Sequence, residues 1–589
     1  MLAGCGSKSN TKSADVENTT KTGETTTEKT QNEKTAAENK TDDLRKETLF
    51  ITGLEWGPPS SFNYFTGVAS FPVNNQNNML VYETLFMYNG LSGEIEPLLA
   101  ESYKWIDDYT IEVKLDKRAY FNDGEPVKIE DVIYTYELGK RYDILWSSLW
   151  TYIDSVESKS DDTIIFKLNK KDYNILAVTE SLTNVPIHPK HIWEKIEKDA
   201  NYDISEINKF FNESPVASGS YKIYSYDDTK ITLVRDDNYW GKSKFGKLPA
   251  PKYITHILFK SNDAASLALK RGDLDYSQNF IPNVWKMWED GAEVRTYLEE
   301  APYYLSDSMP SIYFNLSKPG LDNPDVRRAI AYAIDYKKII DIAMNGYSDV
   351  VEPALTVNNE LESKYIDKDA IKPYQWKYDV DKANEILDSI GAKKGDDGIR
   401  VLPNGVRLGP WKLECPYGWT DWNATLEIIQ QSAKKIGIEL ETYFPEDTVY
   451  ENDRNTGNFD IVMSTPADVI TPAQPWKRAH DILSAKELPP FGEQAYWNFG
   501  RYKNERAEKI LELIPAEKDI ERLRKLYTEL TIIYLKDIPT IPLMYRPTYF
   551  FTVNESVWTN FPHENDGTGI PPYCFDGAGI KSLYNLKNK

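Results

Sequence analysis

NLSKPGLDNPDVRRAIAYAID, Asn315 to Asp335, carries the clearest local instructions in the chain. Asn323 can accept from the free amides at a helix start, Pro324 suits the first helical position because it has no N–H to satisfy, and Asp325 places negative charge at the positive end of the helix dipole. Val326, Ala329, Ile330, Ala333 and Ile334 recur at i, i+3, i+4, i+7 and i+8, which lines one helical face with apolar groups. The spacing predicts a helix over 324–344 with that face buried. Tyr313 to Asn315, just before it, reads as an extended segment crossing from one lobe to another.

Outward from this stretch, length and composition bound the class. A chain of 589 residues is too long for one hydrophobic core, so two or more lobes are expected. Apolar residues at 41% and charged residues at 27% are ordinary for a globular protein, but 15 Trp and 39 Tyr make aromatics the compositional signal. The formal net charge of -22 argues against nucleic acid or anionic lipid as the main partner, because both need a basic surface to release counterions. Cys5, Cys415 and Cys574 give neither a disulfide framework nor a CxxC pair. No apolar run reaches the roughly 18 residues of a spanning helix.

Towards the N-terminus, Leu2-Ala3-Gly4-Cys5 resembles a bacterial lipobox, whose cysteine becomes the lipidated first residue, and the missing signal regions before it read as a truncated or processed start. Residues 1–46 then read as lipobox and disordered tether, since Ser, Thr, Lys, Glu and Asn without large apolar side chains cannot offset the entropy of ordering. Folding begins with the buried strand Thr48 to Thr52. Met79 to Tyr88 (MLVYETLFMY) suits a helix, and alternation at Lys104-Trp105 and Thr110 to Leu115 suits a half-solvated sheet. Further helices are expected at 379–390, 422–437 and 503–533, and Ile541 to Tyr545 reads as a second crossing.

Sequence signals for catalysis are missing. No GxxxxGK(S/T), GxGxxG after a strand, GxSxG or HExxH occurs. His188 and His191 form the closest histidine pair, but no third ligand stands nearby, and neighbouring acids such as Asp107 and Asp108 point apart. No catalytic residue, metal or cofactor is therefore assigned.

The motif Tyr313-Phe314-Asn315 followed by NPDVRRAIAYAID resembles the large extracytoplasmic solute-binding proteins of peptide-type (family 5) ABC importers. Further matches occur in order: GPPSSFNYF at 57–65, Gly93 to Ser102, Phe121 to Val132, Pro215 to Tyr221, Asp237 to Trp240, and AASLALKRGDLD at 264–275. The resemblance implies an α/β, periplasmic-binding-protein-like, two-lobed fold of the large class with an inserted subdomain. It implies lobe 1 at 47–84, 217–314 and 546–589, the insertion at 85–216 and lobe 2 at 315–545. It also implies a monomer, held outside a bacterial membrane by a lipid on Cys5, that hands solute to the permease of an ABC importer.

The binding residues are sought in aromatic loops. CPYGWTDWN, Cys415 to Asn423, sets Trp419 and Trp422 around Asp421. Pyranose C–H faces pack on indole and ring hydroxyls favour carboxylates, so the loop reads as a sugar platform; the alternative is that both indoles are core, a poor fit to a Gly- and Pro-flanked polar loop. In STPADVITPAQPWKR, Ser464 to Arg478, the resemblance implies that Asp468 holds a peptide amino group, whereas TPAQPW looks like the branch that binds cello-oligosaccharides; Trp476 either stacks on sugar or packs the loop. Trp497 and Asn498 in YWNFGRY, Trp56 and Asn63 on the opposite lobe, and Tyr545 at the return crossing complete the expected site. Trp146 and Trp150, at helical spacing, read as core. An oligosaccharide, a β-linked gluco-oligosaccharide, is the expected ligand. A peptide is the alternative within the family, and a cell-surface glycoside hydrolase is the alternative outside it.

Overall fold

Seven strands gather in one sheet around Thr48–Thr52, whose Leu49 and Ile51 are wholly buried. In the computed structural model, which describes residues 43–67, 69–74, 78–467 and 471–589, this strand runs parallel to Tyr253–Ile257 on one side and Tyr276–Ser277 on the other. Val294–Thr296 and Thr552–Asn554 extend one edge, and Lys230–Arg235 and Tyr221–Asp227 the other. The carboxylate of Asp275 accepts from the amide of Phe50 at 2.8 Å, fixing where the central strand meets its neighbour.

A second sheet of five strands is ordered Leu440–Tyr443, Trp411–Glu414, Ile461–Ser464, Ser311–Phe314, Thr540–Pro542. Its first three strands are parallel, and Ser311–Phe314 is antiparallel to both of its neighbours. A third sheet is an antiparallel set of four, Ala100–Asp107, Thr110–Leu115, Thr163–Leu168 and Ile153–Ser160. It packs under the helix Ile129–Arg141. Trp146 and Trp150 pin the turn Ser147–Thr151 to that helix, their indole N–H groups donating to the carbonyls of Thr135 and Tyr136 at 2.9 and 2.8 Å. Apolar side chains gather in two large clusters, one mainly around the second sheet and one around the first and third.

The deciding helix begins as its sequence dictates: Asn323 accepts from the amide of Asp325 at 2.9 Å, Pro324 takes the first turn, and Val326, Ala329, Ile330 and Ala333 are buried. It is shorter than expected. Pro324–Ala333 ends because Ile334 is extended and Asp335 captures the amide of Lys338, so the chain restarts as Tyr336–Lys338 and a π turn, Ile339–Ala343. The helix expected over 503–533 is likewise two, Glu505–Leu513 and Ile520–Asp537, parted by a turn containing Pro515. Met79 to Tyr88 is not a helix. Its backbone groups pair with distant segments, Met79 with Phe575, Leu80 with Tyr221, Glu83 with Ile187 and Leu85 with Ala100, and only Phe86–Tyr88 is a strand. An apolar run buried on every side needs no helical periodicity.

Candidate functional site: a tyrosine-walled cavity

A cavity of about 650 Å³ is walled by segments far apart in the chain. Tyr304 to Asp307 and Tyr545, Thr548 and Tyr549 form two of its sides; Asn358 to Glu362, Thr471 and Pro571 to Tyr573 close it. Tyr88, Tyr304, Tyr365, Tyr545, Tyr549 and Tyr573 all face it, so the wall combines apolar ring surface with hydroxyls. Asp307, Asp349, Glu360, Glu362 and Asp576 outnumber Lys364 and Arg478 there, which disfavours an anionic solute.

The polar groups are held before any solute arrives. Asp307 accepts from the Thr548 amide at 2.5 Å, the Thr548 hydroxyl at 2.8 Å and the Tyr573 hydroxyl at 2.5 Å, so a single carboxylate ties together three separate segments of the chain. Burial pushes its pKa up to about 6, against the pull of those three donors. Because Tyr573 gives its proton to Asp307, its oxygen can only accept from a solute. Tyr545 accepts from the amide of Glu352 at 3.1 Å, and burial raises its pKa to about 12.

A buried ion pair forms another part of the wall. Arg478, 1% exposed, bonds Glu362 through Nη1 at 2.6 Å and Nη2 at 3.1 Å. Glu362 also accepts from the amide of Val357 at 2.9 Å, and Asn359 caps the short helix Glu360–Ser363. The helix Trp476–Leu483 is thereby locked to the loop carrying Asn358 and Asn359.

Of the residues expected from sequence, Tyr545 lines this cavity and the other described ones do not. Asn63 is buried because its carboxamide accepts from Phe65 and donates to the carbonyl of Ile207. Asn498 is likewise occupied by Ser484 and Tyr502. Trp476 is packed in the core with its indole donating to Leu511 at 2.9 Å, and Trp497 donates to Ser484 at 3.2 Å. Trp56 is 63% exposed. Asp421, at the start of the helix Thr420–Lys435, is bound to Arg546 at 2.7 Å rather than free. Trp422 is buried beside it, and Trp419, 43% exposed, meets Trp422 edge to face at 4.8 Å. Asp468 and Cys5 lie outside the described residues. His188 is buried among aromatic rings, with Nδ1 at 2.8 Å from the carbonyl of Pro186, and burial lowers its pKa to about 3.

Apart from Tyr545, the tyrosine wall and its Asp307 anchor are not among the residues expected from sequence. Their only advance sign is the abundance of tyrosine, because the wall is assembled from segments far apart in the chain.

The fold has known counterparts. The family model for bacterial extracellular solute-binding proteins, family 5 (middle) matches residues 94–477. A crystal structure from Thermotoga maritima, described as a mannohexaose-bound periplasmic oligopeptide-binding protein of an ABC transporter, is 33% identical. It superposes with a TM-score of 0.83, covering 92% of this chain and 99% of that one. The oligopeptide-binding protein AppA of Bacillus subtilis is 26% identical over 512 residues, 85% of this chain and 87% of that protein. The structure of AppA in complex with a nonapeptide superposes with a TM-score of 0.71 at 21% identity. These relatives are described as binding proteins, not enzymes. By the family match through its middle and the likeness over nearly its whole length, the chain belongs to the family 5 extracellular solute-binding proteins, the capture components of ABC importers.

Proposed function

We propose that the chain captures an uncharged oligosaccharide of β-linked hexoses in the tyrosine-walled cavity and delivers it to the permease. The observation that carries this reading is the likeness over nearly the whole chain to the mannohexaose-bound Thermotoga protein. The wall supports it: tyrosine rings offer faces for sugar C–H groups, and Tyr573 and the surrounding acids accept from sugar hydroxyls. Arg546, the residue after Tyr545, is bound to Asp421, which lies between Trp419 and Trp422 in the sequence.

In this reading the segments 47–84, 217–314 and 546–589, with the insertion 85–216, form one lobe, and 315–545 forms the other. Closure converts solute affinity into a population of closed protein that the permease recognises. The protein works as a monomer outside the cytoplasm, with the stretch after Cys5 as tether and a lipid on Cys5 as anchor. A peptide is the second reading, favoured by the likeness to AppA and by acids able to hold an amino group. Thermal-shift screening against neutral β-linked oligosaccharides and against peptides of mixed sequence separates the two. The sugar reading expects a raised melting temperature with the oligosaccharides; a shift confined to peptides rejects it.

A further inference from the structure

We propose that the inserted four-stranded subdomain is an electrostatic latch, with Asp172 and Asp108 on its surface holding Lys486 and Lys518 of the opposite lobe to keep the cavity closed. The inference rests on the reading above that the lobes move. Lys486 Nζ lies 2.9 Å from Asp172 Oδ1, and Lys518 Nζ lies 2.6 Å from Asp108 Oδ1. Both pairs run the same way, with the acid on the subdomain and the lysine across from it. They flank an apolar junction: Leu176 of the helix Ile175–Asn184 packs against the core cluster that contains Trp476, and that helix touches the turn Ile514–Ala516. Thr183 of the same helix lines the cavity. At the other end of the junction, a Cβ on Gly93 would stand 3.1 Å from Leu361 Cδ2, so the loop before the third sheet also abuts the opposite wall.

The pairs fit a contact that must open. Their side chains are 39% and 24% exposed for Lys486 and Asp172, and 57% and 72% for Lys518 and Asp108. Exposed pairs are weak and screened by salt, so they bias an equilibrium without locking it. Asp172 and Lys486 each stabilise the other's charged form, lowering one pKa and raising the other. The consequence is specific: binding of an uncharged solute weakens as salt rises, by about two- to tenfold for two such pairs.

Spin labels at Ser160→Cys and Lys503→Cys, on a Cys5→Ser background that leaves only the buried Cys415 and Cys574 as native thiols, report the separation by pulsed electron resonance without any solute. At about 0.01 M salt, where charges act over about 30 Å, the wild type should populate the short distance. At about 1 M salt, where they act over about 3 Å, it should shift to longer distances. Lys486→Glu with Lys518→Glu should be long at both, and adding Asp172→Lys with Asp108→Lys should restore the short state. Identical distributions in the wild type at both salts, or swapped charges that fail to restore closure, overturn the proposal. Since no sugar or peptide is present, this result stands or falls separately from the solute reading, and the wild-type salt series decides even if a variant folds poorly.

Discussion

Arg327 is a charged side chain at 4% exposure on an otherwise apolar helix face, and its partners account for it. The guanidinium donates to the carbonyls of Asp537 and Ile538, where the helix Ile520–Asp537 ends, and to that of Leu321 in the turn before its own helix. Arg327→Ala should lower unfolding free energy by about 3 kcal/mol, read by urea denaturation, because buried carbonyls are left unpaired. Arg327→Lys should recover only part, since one ammonium cannot span three acceptors in a fixed fork. Asp307 makes a prediction of the opposite kind. Its folded pKa, about 6, is raised above the ordinary carboxyl value of 3.8, so the folded state binds the proton more tightly. The stability this contributes is complete below pH 3.8 and lost as pH climbs through about 6. The melting temperature of the wild type relative to Asp307→Asn should therefore fall between those limits and level off above them; a difference that grows with pH would contradict the assignment.

Elements were legible wherever their signals are local. The cap and apolar stripe at Asn323–Ala333 follow from side chains within two turns, and Asp379 caps Val380–Ser389 in the same way. Legibility ended where distant segments compete for the backbone. Met79 to Tyr88 has the composition of a helix, yet its amides and carbonyls belong to partners near 187, 219 and 575. Trp476 sits in a polar stretch that reads as a binding loop, but it opens the helix Trp476–Leu483 and bonds Leu511, a contact no spacing rule encodes. Arg478 and Glu362 were unreadable for the same reason. Their pairing fixes that helix to the cavity loop, so Glu362→Ala should cost about 3 to 5 kcal/mol by leaving a buried guanidinium alone. Glu362→Leu with Arg478→Met should return most of that loss, as thermal or urea unfolding would show.

At the scale of the whole molecule, the three largest sheets and two large apolar clusters of the described residues frame a cavity walled by distant segments. The family was legible because its motifs are ordered along the sequence. The solute was not, because the conspicuous tryptophans do not line the cavity and its wall is tyrosine and acid from separate segments. Trp419→Ala should cost one stacking contribution, roughly 0.5 to 1.5 kcal/mol of sugar binding, while leaving the cavity intact. The most direct test is calorimetric titration of the wild type and Tyr549→Ala with mannohexaose, using Tyr224→Ala, an exposed tyrosine outside the cavity, as control. Micromolar or tighter binding, about 8 kcal/mol, is predicted for the wild type and control, with a loss of at least about tenfold in Tyr549→Ala. No heat with mannohexaose or with other neutral β-linked hexaoses, while a peptide binds, would contradict the account; so would sugar binding that ignores Tyr549.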